Sequence, residues 1–560
     1  MIKEKIKDQL KQSLKKLKAE NVDFNLERPA NFNFGDYATN IALKLVKYLK
    51  KKPKDIAAKI VKGLKPMEEI EKIEIAPPGF INFFLTKAYL FSEAKKIAIK
   101  EEIESFAKNK KQIILEFGQP NTHKLPHLGH LYSYIYGESL ARILEFTGNK
   151  VYRVNYQGDV GLHVAKCLFQ VRKYISEIKN LKKLDEKIKF LQQCYQEGAL
   201  LYDKDRKAQE LIDELNIGIY KNDLSIASIW QMTRRWSLDF YKEFEKKLGI
   251  KYDRYYFESE TAKIGKEIVL KNLDKVFQKS QEAIIFKGAK YNLHTRVFIN
   301  KYGNPTYEAK DLGLIYLKQK DFNFDLSIVT TANEQNEYWK VIIKVSELIF
   351  PKLVGKLQHV GFGMINLTSG KMSSRTGYII DPFTLFNVTK KAIQENFALD
   401  EETLEKIALS AIKYSFLSSD YQKNIVFDLG KSIAKEGNCG PYILYTYVRT
   451  QSVLKKSGID LRRNDFFSKD INLTKEEKNL LRLFYQFNEV VNLATEYFAP
   501  SLIVNFLYDL ASSYNLFYQK QPILKSSPSV RNLRLLLTKV TGIIIKKSLY
   551  LLGIETVEKM

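Results

Sequence analysis

Cysteine is almost missing from this chain of 560 residues: Cys167, Cys194 and Cys439 stand far apart. An odd, scattered set argues against a disulfide framework or a zinc knuckle. It points to a reducing, cytoplasmic setting with no structural zinc and no other metal site. No apolar run approaches the roughly eighteen residues that would span a bilayer, so no membrane partner is expected. Low-complexity tracts are also lacking. The opening MIKEKIKDQLKQSLKKLK contains acids, no arginine and no signal-peptide core. That is unlike a signal or transit peptide and predicts a soluble amphipathic helix, with Ile2, Ile6, Leu10, Leu14 and Leu17 on one stripe. Acid is in short supply: 64 Asp plus Glu face 90 Lys plus Arg, a formal net charge of +26. The excess suits a polyanionic partner such as nucleic acid, although a solvated lysine-rich surface gives the same count.

What is present is enough for several cores, with 45% hydrophobic and 12% aromatic residues, and the length predicts three or four domains. The organising stretch is 112–163. Ile113-Ile114-Leu115 reads as a short buried strand closed by Gly118 and Pro120. A helix should run from His127, carried by Leu128, Leu131, Ile135, Leu140, Ile143 and Leu144 and closed near Gly148, before a strand over Val151–Tyr156. Strand, helix, strand is the unit of a parallel α/β sheet, which binds anions at strand ends beside helix N-termini. His127-Leu128-Gly129-His130 sits at that helix start. Two imidazoles on one face, a residue without a side chain between them and the helix dipole suit a nucleoside triphosphate. Helix capping or a metal pair would use the same residues, and the tetrapeptide alone leaves these readings about even.

A second segment, Lys371-Met372-Ser373-Ser374-Arg375, follows a strand-like stretch over His359–Asn366 and a turn at Thr368-Ser369-Gly370. Two cations and two hydroxyls on a flexible loop suit the clamping of a leaving pyrophosphate. The pair of motifs, in this order and separation, resembles the HIGH and KMSKS signatures of class I aminoacyl-tRNA synthetases. The surroundings resemble the arginyl members of that class: Glu116–Asn121, Lys124 ahead of the first signature, Tyr156–Gly161, Tyr307–Asp311, Asn333–Gln335 and Asn438–Tyr442. The resemblance runs from Gly35 to Met560.

It implies a multidomain α/β protein. Residues 1–100 would form an N-terminal α+β domain, 110–380 a Rossmann-like catalytic domain with a helical insertion, and 381–560 a helical anticodon-binding domain. It implies ATP-dependent joining of L-arginine to tRNA(Arg) through an adenylate, with Mg²⁺ accompanying the nucleotide and the enzyme a monomer. His127, His130, Lys124 and Lys371 would be catalytic. Gly129, Met372, Ser373 and Ser374 would join His127, His130 and Lys371 around ATP. Glu116 and Asn121 would hold the amino-acid end of arginine, and Tyr307, Asp311 and Gln335 its guanidinium. A planar group with five donors calls for such acceptors. Phe80, Asn82, Tyr442, Tyr445, Arg449, Tyr518 and Met560 would contact tRNA. Core aromatics would give the tyrosine spacing equally well.

From the residues alone, Asp36 could cap a helix reaching Leu49, and 165–250 and everything beyond about 382 should be helical. Pro126, Tyr132, Val160, Ala309-Lys310 and Ser374 depart from the family pattern. The rival readings are a class I synthetase of another specificity and a non-catalytic tRNA-binding relative. The latter would be expected to lose the histidine pair or Lys371.

Overall fold

The computed structural model describes residues 2–29, 31–103, 110–221, 223–367, 381–395, 398–459 and 472–560. They gather into two compact units. One comprises 104–448, 490–508 and 546–560, the other 1–103, 449–489 and 509–545.

The first unit is built on a five-stranded parallel sheet. Its strands are β1 (Gln112–Glu116), β2 (Lys150–Gln157), β3 (Arg254–Phe257), β4 (Leu326–Ala332) and β5 (Leu357–Phe362), in spatial order β5-β4-β1-β2-β3. β1 and β4 are buried continuously along their lengths rather than at alternate residues, as in strands covered on both faces. The chain leaves β1 in one direction, to β2 and β3, and later returns to the other side of β1 as β4. That reversal leaves a crevice at the carboxyl ends of β1 and β4, where open α/β sheets bind ligands.

Helix α1 (Leu128–Phe146) crosses from β1 to β2 at the expected place and stops before Gly148, whose φ is 91°. It is buried nearly all round, and a Cβ on Gly137 would stand 2.2 Å from the Phe117 ring. The expected insertion is helical, over Leu162–Val171, Leu184–Lys204, Arg206–Lys221 and α2 (Leu224–Leu248). Helices α3 (Glu258–Lys271) and α4 (Tyr307–Asp321) cross almost backbone to backbone. A Cβ on Gly265 would lie 1.8 Å from Ala309 O, and one on Gly313 would lie 2.3 Å from Thr261 O. Between them a small antiparallel sheet, Gln278–Ser280, Ala283–Phe286 and Arg296–Ile299, was not legible in the sequence. Helix α5 (Asn336–Ile349) follows β4. The strand-like stretch 359–366 divides into β5 and Ile365–Leu367, the latter paired with Ile425–Phe427.

In the second unit the N-terminal helix, Ile2–Lys16, buries Ile2, Ile6, Leu10 and Leu14 as expected, but it ends before Leu17, which sits half-buried in the following turn. A four-stranded antiparallel sheet runs in the order Leu26–Glu27, Tyr37–Thr39, Phe80–Leu85, Ile70–Ala76. The capping role expected of Asp36 is overturned. Asp36 precedes a strand, its enclosed carboxylate accepts from the Leu85 N–H, and it forms an ion pair with Arg482 Nε at 2.9 Å. A buried carboxylate is better served by a guanidinium than by a helix end. The helical stretch to Leu49 instead starts at Ile41 and breaks at Leu45.

Among the described residues beyond 382 the regular structure is helical apart from Ile425–Phe427, with long helices at Glu401–Leu417, Gly440–Ser457, Lys475–Glu496, Ser501–Lys520 and Pro528–Leu551. The turn after the last helix is tied down. Ser139 Oγ donates to Leu551 O at 2.9 Å, Arg142 Nη1 to Tyr550 O at 3.0 Å and Lys413 Nζ to Gly553 O at 2.6 Å.

Candidate active site

His127 is the N-cap of α1, and it bonds reciprocally with His130. The His127 amide donates to His130 Nδ1 at 3.1 Å, and the His130 amide donates to His127 Nδ1 at 3.3 Å. This is a capping box made from two imidazoles, their centroids 3.7 Å apart. Because each Nδ1 accepts a backbone proton, each neutral ring must carry its own proton on Nε2. Burial and the charges of His127 and Lys124 hold His130 well below the usual histidine range, and desolvation and Lys124 lower His127. Two neutral Nε2–H donors are thus fixed at the helix start. Gly129 is what lets the rings close: a Cβ there would meet the His127 ring at 2.9 Å.

Both histidines and Gly129 line a cleft of about 640 Å³ at the carboxyl ends of β1 and β4. Every residue expected to hold arginine lines it too: Glu116, Asn121, Tyr307, Asp311 and Gln335. Glu116 ends β1, accepts from Gln119 Nε2 at 2.7 Å and is ion-paired with Lys318 of α4. Asn121 bridges to Gly158, where a Cβ would stand 2.2 Å from Asn121 Oδ1. Tyr307 and Asp311 share a face of the first turn of α4, and Asp311 Oδ2 accepts from Tyr338 OH at 2.5 Å. Burial, then Glu116 and Glu258, push the Asp311 carboxyl up to about 8, against the Tyr338 hydroxyl and Lys318. Gln335 accepts from Trp339 Nε1 at 3.3 Å, just before α5.

Other expected residues lie elsewhere. Lys124 is not among those lining the cleft; its ammonium lies 5.8 Å from the Tyr195 ring, and its charge still acts on both histidines. Lys371, Met372, Ser373 and Ser374 lie outside the described residues. Phe80 is 37% exposed, whereas Asn82, on the same strand, is 3% exposed. Tyr442 and Tyr445 lie on helix Gly440–Ser457, with Tyr445 exposed. Further along that helix Arg449 stands 4.8 Å over the Tyr518 ring. Met560 is half-exposed.

Sequence reasoning missed Glu258, Lys310 as its partner, Lys318 and Tyr338. Glu258 lines the cleft directly after β3, and Lys310 Nζ bonds to its Oε2 at 2.6 Å. The signal was a carboxylate at a strand end, which required recognising the four-residue β3. The departures from pattern are absorbed locally. Pro126 precedes the N-cap and leaves the histidine pair intact. Tyr132 packs edge-on against Phe362. Val160 joins the apolar cluster of the insertion, on which Trp230 lies, its indole donating to Asp159 O at 2.9 Å.

Three family models cover the chain. "Arginyl tRNA synthetase N terminal domain" matches 4–85, "tRNA synthetases class I (R), catalytic domain" matches 94–429, and "DALR anticodon binding domain" matches 443–560. The arginine–tRNA ligase of Fusobacterium nucleatum is 30% identical over 544 residues, 95% of this chain and 94% of that protein. That of Borreliella burgdorferi is 30% identical over 593 residues, 100% of this chain and 99% of that protein. The solved Thermus thermophilus arginyl-tRNA synthetase covers each chain completely with a TM-score of 0.84 at 23% identity, and so shares the fold. The chain therefore belongs to the arginyl-tRNA synthetase family of the class I tRNA synthetases.

Proposed function

We propose that this class I arginine–tRNA ligase divides two steps among the residues described above. The carboxylate of L-arginine attacks the α-phosphorus of ATP. The bond to the bridging oxygen breaks, leaving arginyl-adenylate and pyrophosphate. A ribose hydroxyl of the terminal adenosine of tRNA(Arg) then attacks the arginyl carbonyl and gives up its proton, and AMP leaves. Neither step needs a protein nucleophile, so positioning and charge stabilisation carry the chemistry.

His127 and His130 direct their Nε2–H donors at the α-phosphate, Gly129 leaves room for the nucleotide, and Lys124 adds positive charge behind them. Lys371, with Met372, Ser373 and Ser374, closes on the departing pyrophosphate. Mg²⁺ enters with ATP as part of the substrate and screens the phosphates; among the described residues no group of three His, Cys, Asp or Glu side chains could hold a metal ion. Tyr307, Asp311 and Gln335 receive the guanidinium, and Glu258, held by Lys310, borders them. Glu116 and Asn121 receive the amino-acid end. Phe80 and Asn82 meet the outer corner of the tRNA, with Phe80 the exposed member, and Tyr442, Tyr445, Arg449, Tyr518 and Met560 meet the anticodon arm. The enzyme acts as a cytoplasmic monomer.

The observation that most supports this reading is a fixed pair of neutral imidazole donors at one wall of a cleft that five carboxylates also line. ATP–pyrophosphate exchange with each amino acid, with and without tRNA(Arg), tests it. Exchange supported by arginine alone among the amino acids is expected. Exchange with a different amino acid would overturn the pocket assignment, and none with a folded, tRNA-binding sample would overturn catalysis.

A further inference from the structure

The carboxylates of the cleft are not equivalent. Of the five that line it, Glu334 is exposed and Glu308 lies 3.7 Å from Arg296, whereas Glu116, Glu258 and Asp311 are nearly enclosed, at 1%, 6% and 8% exposure. Two have an internal cation: Lys318 bonds to Glu116 Oε2, and Lys310 to Glu258 Oε2. The third, Asp311, receives the neutral hydroxyl of Tyr338. Lys318 lies seven residues beyond Asp311 on α4, two turns along the same face, and is itself only 3% exposed. Among the described residues, one helix therefore presents both the carboxylate without an ion-pair partner and the cation that compensates its neighbour.

We propose that Lys318 is a specificity-determining positioning residue. It pins Glu116 against the end of β1 so that Asp311 alone of the three enclosed carboxylates remains to take up the positive charge of an arginine side chain. The inference rests on the arginine pocket proposed above. Its physical basis is the cost of an uncompensated buried charge. Without Lys318, Glu116 and Asp311 would confront each other as like charges, and Asp311 would hold its proton to higher pH. The other groups around Asp311 do not replace Lys318. On α4 itself Lys310 is committed to Glu258, and Glu308 lies 3.7 Å from Arg296, which comes from the small sheet. The α5 and β2 neighbours, Tyr338 and Tyr156, are neutral phenols whose titration is pushed well above the usual range.

The test compares full-length wild type, Lys318→Met and Lys318→Arg by ATP–pyrophosphate exchange in the presence of tRNA(Arg), from pH 6 to 9. Lys318→Met is expected to raise KM for arginine about tenfold near neutrality, to displace its pH dependence to higher pH, and to leave KM for ATP unchanged; Lys318→Arg should restore both. Equal changes in kcat and both KM values, or an unmoved pH profile, would overturn the proposal. If Lys318→Met does not fold, Glu116→Gln/Lys318→Met removes both buried charges. It should return the pH profile to the wild-type position, and a profile still displaced would count against the proposal. Wild type without arginine-dependent exchange would instead overturn the proposed function, which separates the two failures.

Discussion

Asp311 carries the chemistry most sensitive to proton concentration. Its folded value of about 8 stands above the ordinary 3.8, so between these values the folded cleft holds a proton that an unfolded chain has released. The stability contributed by this group therefore falls as pH rises through that range. In the proposed arginine pocket, binding a guanidinium requires the ionised form, which below about 8 must first be made by deprotonation. KM for arginine should fall about tenfold per unit from pH 6 toward 8 and then level off, as measured by steady-state exchange. At the histidine pair the critical residue has no side chain. Gly129→Ala would push the His127 ring away, and we expect kcat/KM for ATP to fall about a hundredfold while the fold, followed by circular dichroism, stays intact. The histidines were legible because their spacing places them at a helix start, and Tyr307 and Asp311 because their surroundings resemble the arginyl family. Lys318 was not, because nothing local distinguishes a lysine that will be buried against a strand 202 residues earlier from one in solvent.

Among the elements, β1, α1 and β2 follow from their apolar pattern, while β3 and the strands of the small sheet are too short for periodicity to register. Asp36 shows a different limit. Its position before a helical pattern suggests a cap, yet the partner that decides its role, Arg482, is supplied by a helix at the other end of the chain. Arg482→Ala would leave this enclosed carboxylate without its cation, and it should cost about 3–5 kcal/mol in denaturant unfolding of the unit that contains both residues. The glycine crossing of α3 and α4 sets the distance at which Lys310 meets Glu258. Gly265→Ala, whose Cβ would collide with Ala309 O, should raise KM for arginine and lower the thermal midpoint together.

For the whole molecule, a net charge of +26 facing a polyanion makes binding a matter of released counterions. Affinity for tRNA should fall linearly in log–log form with salt, by roughly 0.7–0.9 decade per decade of salt for each phosphate neutralised, as filter binding across 50–300 mM NaCl would read. The tie between α1 and the turn after the last helix has a consequence for how the chain is made. Ser139 and Arg142 bond to carbonyls 412 and 408 residues later. At about 5–20 residues per second, a ribosome delivers those acceptors tens of seconds after α1 has emerged. Throughout that interval the nascent chain presents one side of α1 without its eventual cover, so this unit cannot complete its packing until Tyr550 and Leu551 have emerged.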